Sequence, residues 1–161
     1  MTKPVRDTPG GYFEDYPEGA VYVGGPITVS EEDIVDFARR YDPQPMHIDK
    51  AAAEAGPFGG LIASGWHTGS LMMQMLARHF VPTPGNLPSP GLDELRWLWP
   101  VRPGDRLSLR VTVQSARLSR SRPGQGVVTG LVEVLNQDGD VVMSVKPVSL
   151  MRCRPVADGG E

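Results

Sequence analysis

The sequence of 161 residues predicts an α+β domain in which one antiparallel β-sheet wraps around a long central helix. Three observations predict this architecture. Apolar residues recur at helical spacing in the first half of the chain and at every second position in the second half. One segment, residues 65–81, carries large apolar side chains on nearly every side of a helix, as a buried helix does. The connections between the predicted strands are too short for parallel crossovers, so neighbouring strands should be antiparallel.

The first helix is predicted to begin after Ser30 and to end near Tyr41. The Ser30 hydroxyl can cap the free amides of the first turn, and the three acidic residues that follow suit the positive end of the helix dipole. Apolar residues recur at helical spacing from Ile34 onward. Asp42 precedes Pro43 and is therefore disfavoured in the α region, which places Asp42 at a corner between helix and loop.

The chain then predicts a proline-stiffened loop, a short helix and the central helix. The loop is the run D-P-Q-P-M-H-I-D at residues 42–49, and the alanines at 51–55 can form a short helical turn that Gly56 and Pro57 stop. The central helix follows from Gly65 to about Val81. A linker with four prolines, Val81 to Pro90, then separates the helical half from the sheet.

Five strands are predicted from apolar alternation and turn residues: Val21–Val29, Leu92–Trp99, Leu107–Val113 with its flanks, Gly126–Leu135 and Val141–Met151. Pro147 cannot donate to a ladder, so its strand should be an edge or carry a bulge there. The ends, residues 1–11 and 155–161, lack periodicity and are predicted to be flexible tails. Residues 12–154 between them should form one domain.

Composition excludes several classes of protein. The 19 glycines and 16 prolines have no fixed period, and 40% hydrophobic residues with a net charge of −3 exclude collagen-like and disordered chains. The slightly acidic balance argues against nucleic-acid binding, and no apolar run approaches the roughly 18 residues that span a membrane. A single cysteine, Cys153, and an N-terminus without an apolar stretch predict a cytoplasmic location.

The residues with the clearest chemical potential are Asp42 and His47. No phosphate-binding loop, dinucleotide fingerprint, nucleophile elbow or paired-cysteine metal motif is present. A carboxylate and an imidazole held in one stiff loop can share a water molecule and exchange protons at neutral pH. Alternatively, Asp42 only ends a helix and His47 only bonds a backbone carbonyl. A metal site of Asp42, His47 and Asp49 is a further alternative, but this mixed, short set does not match a standard zinc or iron signature.

The glycine-rich segment from Gly59 to Gly65 is the second feature. Gly65 would present an uncovered amide at the positive end of the central helix, where such amides stabilise an oxyanion. Alternatively, Ser64 caps the helix and Gly65 allows close packing. The two interpretations are compatible.

The run D-P-Q-P-M-H-I-D, followed by G-L-I-A-S-G and then by W-P-V-R-P-G-D, closely resembles the MaoC-like dehydratases and (R)-specific enoyl-CoA hydratases over residues 12–152. The resemblance implies the hotdog fold, at least a homodimer, and 2-enoyl thioesters of coenzyme A or acyl carrier protein as substrates. It implies that Asp42 and His47 are the catalytic pair and that the Gly65 amide holds the thioester carbonyl. No metal or separate cofactor is implied, nor a nucleic-acid or membrane partner.

The same resemblance implies the residues that bind substrate: Gln44, Ile62, Ala63, Ser64, Trp66 and Met73. Gln44 and Ser64 stand where the family often has Asn and His, and Met73 stands where short-chain hydratases carry a serine. Basic residues should line the entrance for the phosphates of coenzyme A; the candidates are Lys50, Arg102, Arg106, Arg120 and Arg122.

The activity expected from this site is hydration of a 2-enoyl-CoA, or dehydration of a 3-hydroxyacyl-CoA in reverse. An acyl-CoA thioesterase is one alternative, although residues 65–80 contain no Asp or Glu to act as the usual acid of that class. A non-catalytic acyl-CoA-binding subunit is the other.

Overall fold

The computed structural model describes residues 5–6, 9–81 and 84–156. Residues 1–4, 7–8 and 157–161 of the predicted tails, and residues 82–83 of the predicted linker, lie outside the described residues. The helices are α1 (Glu31–Tyr41), α2 (Pro45–Ile48), α3 (Lys50–Ala55) and α4 (Gly65–His79). The strands are β1 (Val5–Arg6), β2 (Val21–Thr28), β3 (Asn86–Trp97), β4 (Arg106–Leu118), β5 (Gln125–Leu135) and β6 (Val141–Arg152).

The strands form one sheet in the order β1-β2-β4-β5-β6-β3. Every pair is antiparallel except β1 and β2, so the antiparallel prediction for the five longer strands is confirmed. Alternating residues of β4 and β5 are buried, which gives the sheet one apolar face. Helix α4 contributes Met72, Met75 and Leu76 to the core that this face forms, and burial of those side chains is the main force holding the helix to the sheet.

Helix α1 begins and ends where the sequence predicts. The Ser30 Oγ accepts a hydrogen bond of 3.0 Å from the Asp33 amide, which satisfies one of the free donors of the first turn. At the other end the Asp42 amide still bonds the Ala38 carbonyl, but Asp42 itself has left the helical conformation. The corner predicted at Asp42 is therefore confirmed.

The sequence predicted a loop at residues 42–49, but part of this run is helical. Residues 45–48 form the single helical turn α2, with Pro45 at its first position, where the missing amide costs nothing. This turn carries His47 into the protein interior. The predicted linker is also shorter than expected, because β3 begins at Asn86.

Two further predictions need correction. Helix α4 is not buried on most sides in this chain, because Trp66, Ser70 and Met73 are exposed on one face. Pro147 does not lie on an edge strand, since β6 runs between β5 and β3. Pro147 pairs with Leu92 on β3, whereas the ladder to β5 has no pairs between Thr129↔Val148 and Val132↔Val145, so Pro147 needs no donor toward β5. The register is the same on both sides of this gap, so the strand carries no bulge there either.

The N-terminal segment predicted as a tail contains β1, whose residues pair in parallel with Val21 and Tyr22. The bounds of the domain itself, residues 12–154, stay a prediction. None of the helices that the structure describes is long and apolar enough to cross a membrane.

Candidate active site

The structure brings Asp42 and His47 together at the point where α1 ends and α2 begins. His47 Nε2 lies 3.4 Å from Asp42 Oδ2. His47 is 5% exposed, whereas Asp42 keeps partial access to solvent. At 3.4 Å the two atoms are beyond the usual length of a direct hydrogen bond, and a group that donates to both would lie beside the line that joins them.

The backbone carbonyl of Ile62 determines which nitrogen of His47 carries the proton. His47 Nδ1 lies 2.8 Å from this carbonyl oxygen, which can only accept. Nδ1 therefore donates, and in the neutral ring Nε2 presents a lone pair toward Asp42. The alternative that His47 bonds a carbonyl is thus correct, but the same bond orients the ring toward Asp42.

Ser64 links Asp42 to the first turn of α4. The Ser64 hydroxyl donates to Asp42 Oδ2 over 2.6 Å and accepts from the Trp66 amide over 3.2 Å. It is fully buried. The Ser64 hydroxyl therefore caps α4 and also holds the Asp42 carboxylate. The sequence indicated the first of these two contacts but not the second.

Two hydrogen bonds hold Asp42 in its ionised form. Gln44 Nε2 donates to Asp42 Oδ1 over 2.6 Å, opposite the bond from Ser64. The Ser64 bond, and after it the Gln44 bond, lower the pKa of Asp42, and the nearby His47 adds to this while partial burial opposes it. Asp42 is therefore a carboxylate at neutral pH and accepts rather than donates hydrogen bonds.

Gly65 is the first residue of α4, so its backbone amide has no acceptor within the helix. Within the described residues no group accepts a hydrogen bond from this amide. The Gly65 carbonyl accepts from Trp97 Nε1 over 2.9 Å, and a Cβ at this position would meet the Trp97 indole ring. The close packing and the free amide that the sequence indicated therefore occur together at Gly65.

These groups open into one cavity of about 430 Å³. Its lining includes Asp42, Gln44, His47, Ile62, Ala63, Gly65 and Trp66, but Met73 is not part of it and lies on the exposed face of α4. Ser64 does not line the cavity and acts on it only through its hydrogen bond to Asp42. The lining also includes Trp97, Trp99, Pro100 and Val101, together with four residues that the sequence did not indicate as site residues: Met46, Phe58, Thr68 and Leu98. Trp99 to Val101 belong to the run W-P-V-R-P-G-D, which carries part of the family resemblance, whereas no local pattern indicates that Phe58 lines the cavity.

The basic residues predicted for the entrance do not gather there. Arg102 is beside the cavity, because its Nη2 donates to the carbonyl of the lining residue Phe58 over 2.7 Å. Lys50 pairs with Glu31, and Arg120 and Arg122 lie just beyond the end of β4 that is remote from Arg106. Over residues 9–81 and 84–156, no three His, Cys, Asp or Glu side chains are grouped as metal ligands.

Comparison with known proteins identifies the family. The family model for the MaoC like domain matches residues 13–136. A MaoC-like dehydratase from Rhodospirillum rubrum superposes with a TM-score of 0.85 at 38% identity, over 91% of this chain and 100% of that one. R-hydratase PhaJ1 from Pseudomonas aeruginosa gives 0.73 at 25% identity, over 98% and 96%.

Among curated sequences, a 3-hydroxybutyryl-CoA dehydratase from Methylorubrum extorquens is 29% identical over 139 residues, which is 83% of each chain. The structural matches show the hotdog fold, with its antiparallel sheet around a central helix. The family match covers most of this chain and includes the Asp42–His47 segment and the start of α4. The chain therefore belongs to the MaoC-like dehydratase family.

Proposed function

We propose that this protein catalyses the reversible hydration of 2-enoyl thioesters, using Asp42 and His47 to hold and activate the water. The observation that carries the proposal is the distance of 3.4 Å between Asp42 Oδ2 and His47 Nε2, the ring nitrogen that is an acceptor in the neutral tautomer set by the Ile62 carbonyl. Two acceptors facing each other are best satisfied by a molecule that donates to both. Water has the two donors that this arrangement requires.

The reaction adds the oxygen of that water to the β-carbon of the enoyl group. One water proton passes to the Asp42–His47 pair as the carbon–oxygen bond forms, and the pair delivers a proton to the α-carbon. The products have gained one hydroxyl group and one hydrogen, so the step balances without an oxidant or reductant. General acid–base assistance of this kind contributes about 10²- to 10⁴-fold to a rate.

The Gly65 amide is proposed to bind the thioester oxygen. Negative charge develops on that oxygen as water attacks the β-carbon. A backbone amide at the start of α4 is a donor that is already oriented, and the positive end of the helix dipole lies at the same place. The bond between Trp97 and the Gly65 carbonyl supports this role by fixing the peptide next to the amide.

The aromatic and aliphatic part of the cavity is proposed to take the acyl chain near the thioester. Trp66 and Trp97 meet edge to face with ring centroids 5.2 Å apart and form one wall. Both rings are about half exposed, as is Trp99. Large apolar side chains around a cavity mouth favour an acyl thioester over a small polar substrate.

A second copy of the chain is proposed to cover this wall. β3 lies at the edge of the sheet and almost all of its residues are exposed. An exposed edge strand that carries apolar residues such as Leu92 and Trp97, and is followed directly by the exposed Leu98 and Trp99, favours association with another strand. Replacing Leu92 with Arg should shift the protein from dimer to monomer in light scattering, whereas an unchanged mass would place the interface elsewhere.

The test is loss of enoyl absorbance when the protein is added to a series of 2-enoyl-CoA thioesters of increasing chain length. Asp42→Asn and His47→Gln should each reduce kcat/KM by about 10²- to 10⁴-fold. Asp49→Asn is the matched control, since Asp49 caps α3 through its Oδ1 and lies outside the cavity lining. Wild-type activity in both site variants would overturn the proposal.

Two other results would identify the alternatives. Release of free thiol from saturated acyl-CoA would indicate a thioesterase. Tight binding of acyl-CoA without turnover at any chain length would indicate a non-catalytic subunit.

A further inference from the structure

A second cavity of about 440 Å³ lies between α1 and α4, on the other side of the Asp42 corner from the candidate active site. Consecutive residues divide between the two cavities. Tyr41 lines the second cavity and Asp42 the first, and likewise His67 lines the second and Thr68 the first. The second cavity is therefore separate from the proposed hydration site, although the same turn of α4 borders both.

His67 is the unusual residue of this second cavity. It is 5% exposed, and in the described part of the chain its ring nitrogens have no hydrogen-bond partner. Nδ1 is completely enclosed. The ring stacks on Phe37 with centroids 4.8 Å apart and planes 12° apart, so packing rather than hydrogen bonding fixes its orientation. A buried polar group without a partner is costly, and native proteins keep few of them.

The surroundings keep His67 neutral. Burial lowers its pKa, and the Asp33 carboxylate opposes this only in part. His67 is also the third residue of α4, where the positive end of the dipole disfavours a cation. A neutral imidazole has one N–H, and a bare enclosed acceptor is more readily tolerated than an enclosed unpaired donor. The proton therefore belongs on Nε2, the nitrogen that is not enclosed.

We propose that this cavity is a binding site for a small uncharged amphipathic molecule whose oxygen accepts a hydrogen bond from His67 Nε2. The apolar part of such a ligand would lie against Ile27 and Leu71, which line the cavity with Val29 and Phe37. An anionic ligand is disfavoured because Asp33 and Asp36 also line the cavity, and an ammonium ion has no oxygen that could accept a hydrogen bond from His67 Nε2. The ligand class is a short-chain ketone or amide.

The chain has three histidines, so selective isotope labelling of histidine gives a simple test. The labelled protein is titrated with 2-pentanone and with N-propylacetamide, and the ring signals of His47, His67 and His79 are followed by NMR. The proposal predicts a saturable shift at His67 alone. Butyrate and butylammonium, of similar size but charged, should give at least tenfold weaker binding.

A second measurement uses variants and does not depend on the histidine signal. The neutral probes should raise the Tm of the wild-type protein, since a ligand that binds only the folded state stabilises it. His67→Leu should abolish this rise, whereas His67→Gln, which keeps a donor near the position of Nε2, should retain part of it. Both variants should fold, because each replaces a neutral side chain with a neutral side chain of similar size.

The proposal is overturned if neither neutral probe gives a saturable shift, if the three histidines respond equally, or if His67→Leu responds as the wild type does. None of these results bears on hydration at Asp42 and His47, which the enoyl thioester assay measures separately.

Discussion

Replacing Ser64 with alanine tests whether one hydroxyl holds both the candidate active site and the first turn of α4. The substitution removes the bond of 2.6 Å to Asp42 Oδ2 and the bond of 3.2 Å from the Trp66 amide. The backbone and the neighbouring side chains need not move, because alanine is smaller than serine. The effect should therefore report these two contacts.

The expected loss of stability is about 2–3 kcal/mol at pH 7. A hydrogen bond to a charged group contributes about 1.5–3 kcal/mol, and its lower end applies because the Asp42 side chain is 18% exposed and water can replace part of the contact. Loss of a helix cap costs about 1 kcal/mol more. For a chain of this length the two together lower the Tm by roughly 5–10 °C.

The dependence on pH separates the two contacts. The pKa of Asp42 is lowered in the folded protein, so its stabilisation is present at neutral pH and is lost as the pH falls from about 4 through the lowered value. Ser64→Ala removes the main cause of that shift. Urea denaturation at pH 7 and at about pH 3 should therefore show a smaller difference between variant and wild type in acid.

Ser70→Ala is the control, because Ser70 lies in the same helix and its Oγ donates only to the exposed Trp66 carbonyl. This variant should stay within about 0.5 kcal/mol of the wild type. If Ser64→Ala unfolds with the same midpoint as Ser70→Ala at pH 7, the reasoning is refuted. If the loss of unfolding free energy is the same at both pH values, the helix cap accounts for it and the contribution of the bond to Asp42 is rejected.

The remaining predictions concern packing around the site and in the sheet. Gly65→Ala places a methyl group against the Trp97 ring and should destabilise the fold, and Trp97→Ala should relieve this by at least about 1 kcal/mol in a double-mutant cycle measured with urea. Met75→Ala empties a fully buried position and should cost about 2–5 kcal/mol in the same assay, whereas Met75→Leu, which conserves volume, should cost under about 1.5 kcal/mol. The pair formed by Arg110 and Glu133 is 2.8 Å long and joins neighbouring strands, but the Arg110 side chain is 42% exposed. Its coupling energy in a double-mutant cycle should be below about 1 kcal/mol and should fall with added salt; a salt-independent value would contradict the role assigned to solvent.

Local patterns predicted the elements whose causes lie within a few residues of one another. Ser30 and the acidic turn after it begin α1, and Pro43 accounts for its end at Asp42. Alternation in β4 and β5 likewise predicted strands with one buried face. These predictions succeeded because capping, proline geometry and the period of a strand act along the chain and need no distant partner.

Predictions that depended on neighbours in space were less successful. The apolar residues of α4 indicated a helix buried on most sides, yet Met73 is exposed and Met75 is fully buried. Periodicity reports which side chains are apolar, but only the elements packed around the helix decide which of them are covered. Pro147 was likewise expected at an edge or a bulge, but a central strand tolerates it because no residue of β5 pairs with it. That pairing depends on how β5 and β6 align and is not visible in the local sequence.

The sequence by itself determined the α+β class, most of the strands and helices, and the segments that hold Asp42, His47 and Gly65. Only the tertiary structure decided how these groups act on one another. The Ile62 carbonyl assigns the proton of His47 to Nδ1, and the Ser64 hydroxyl keeps Asp42 ionised. Nδ1 of His67, two residues after Gly65, has no hydrogen-bond partner among the described residues, and the ring lies beside a second cavity. The physical reason is that hydrogen bonds, burial and pKa shifts depend on distances across the fold, and residues 42 and 64 become neighbours only when the chain has folded.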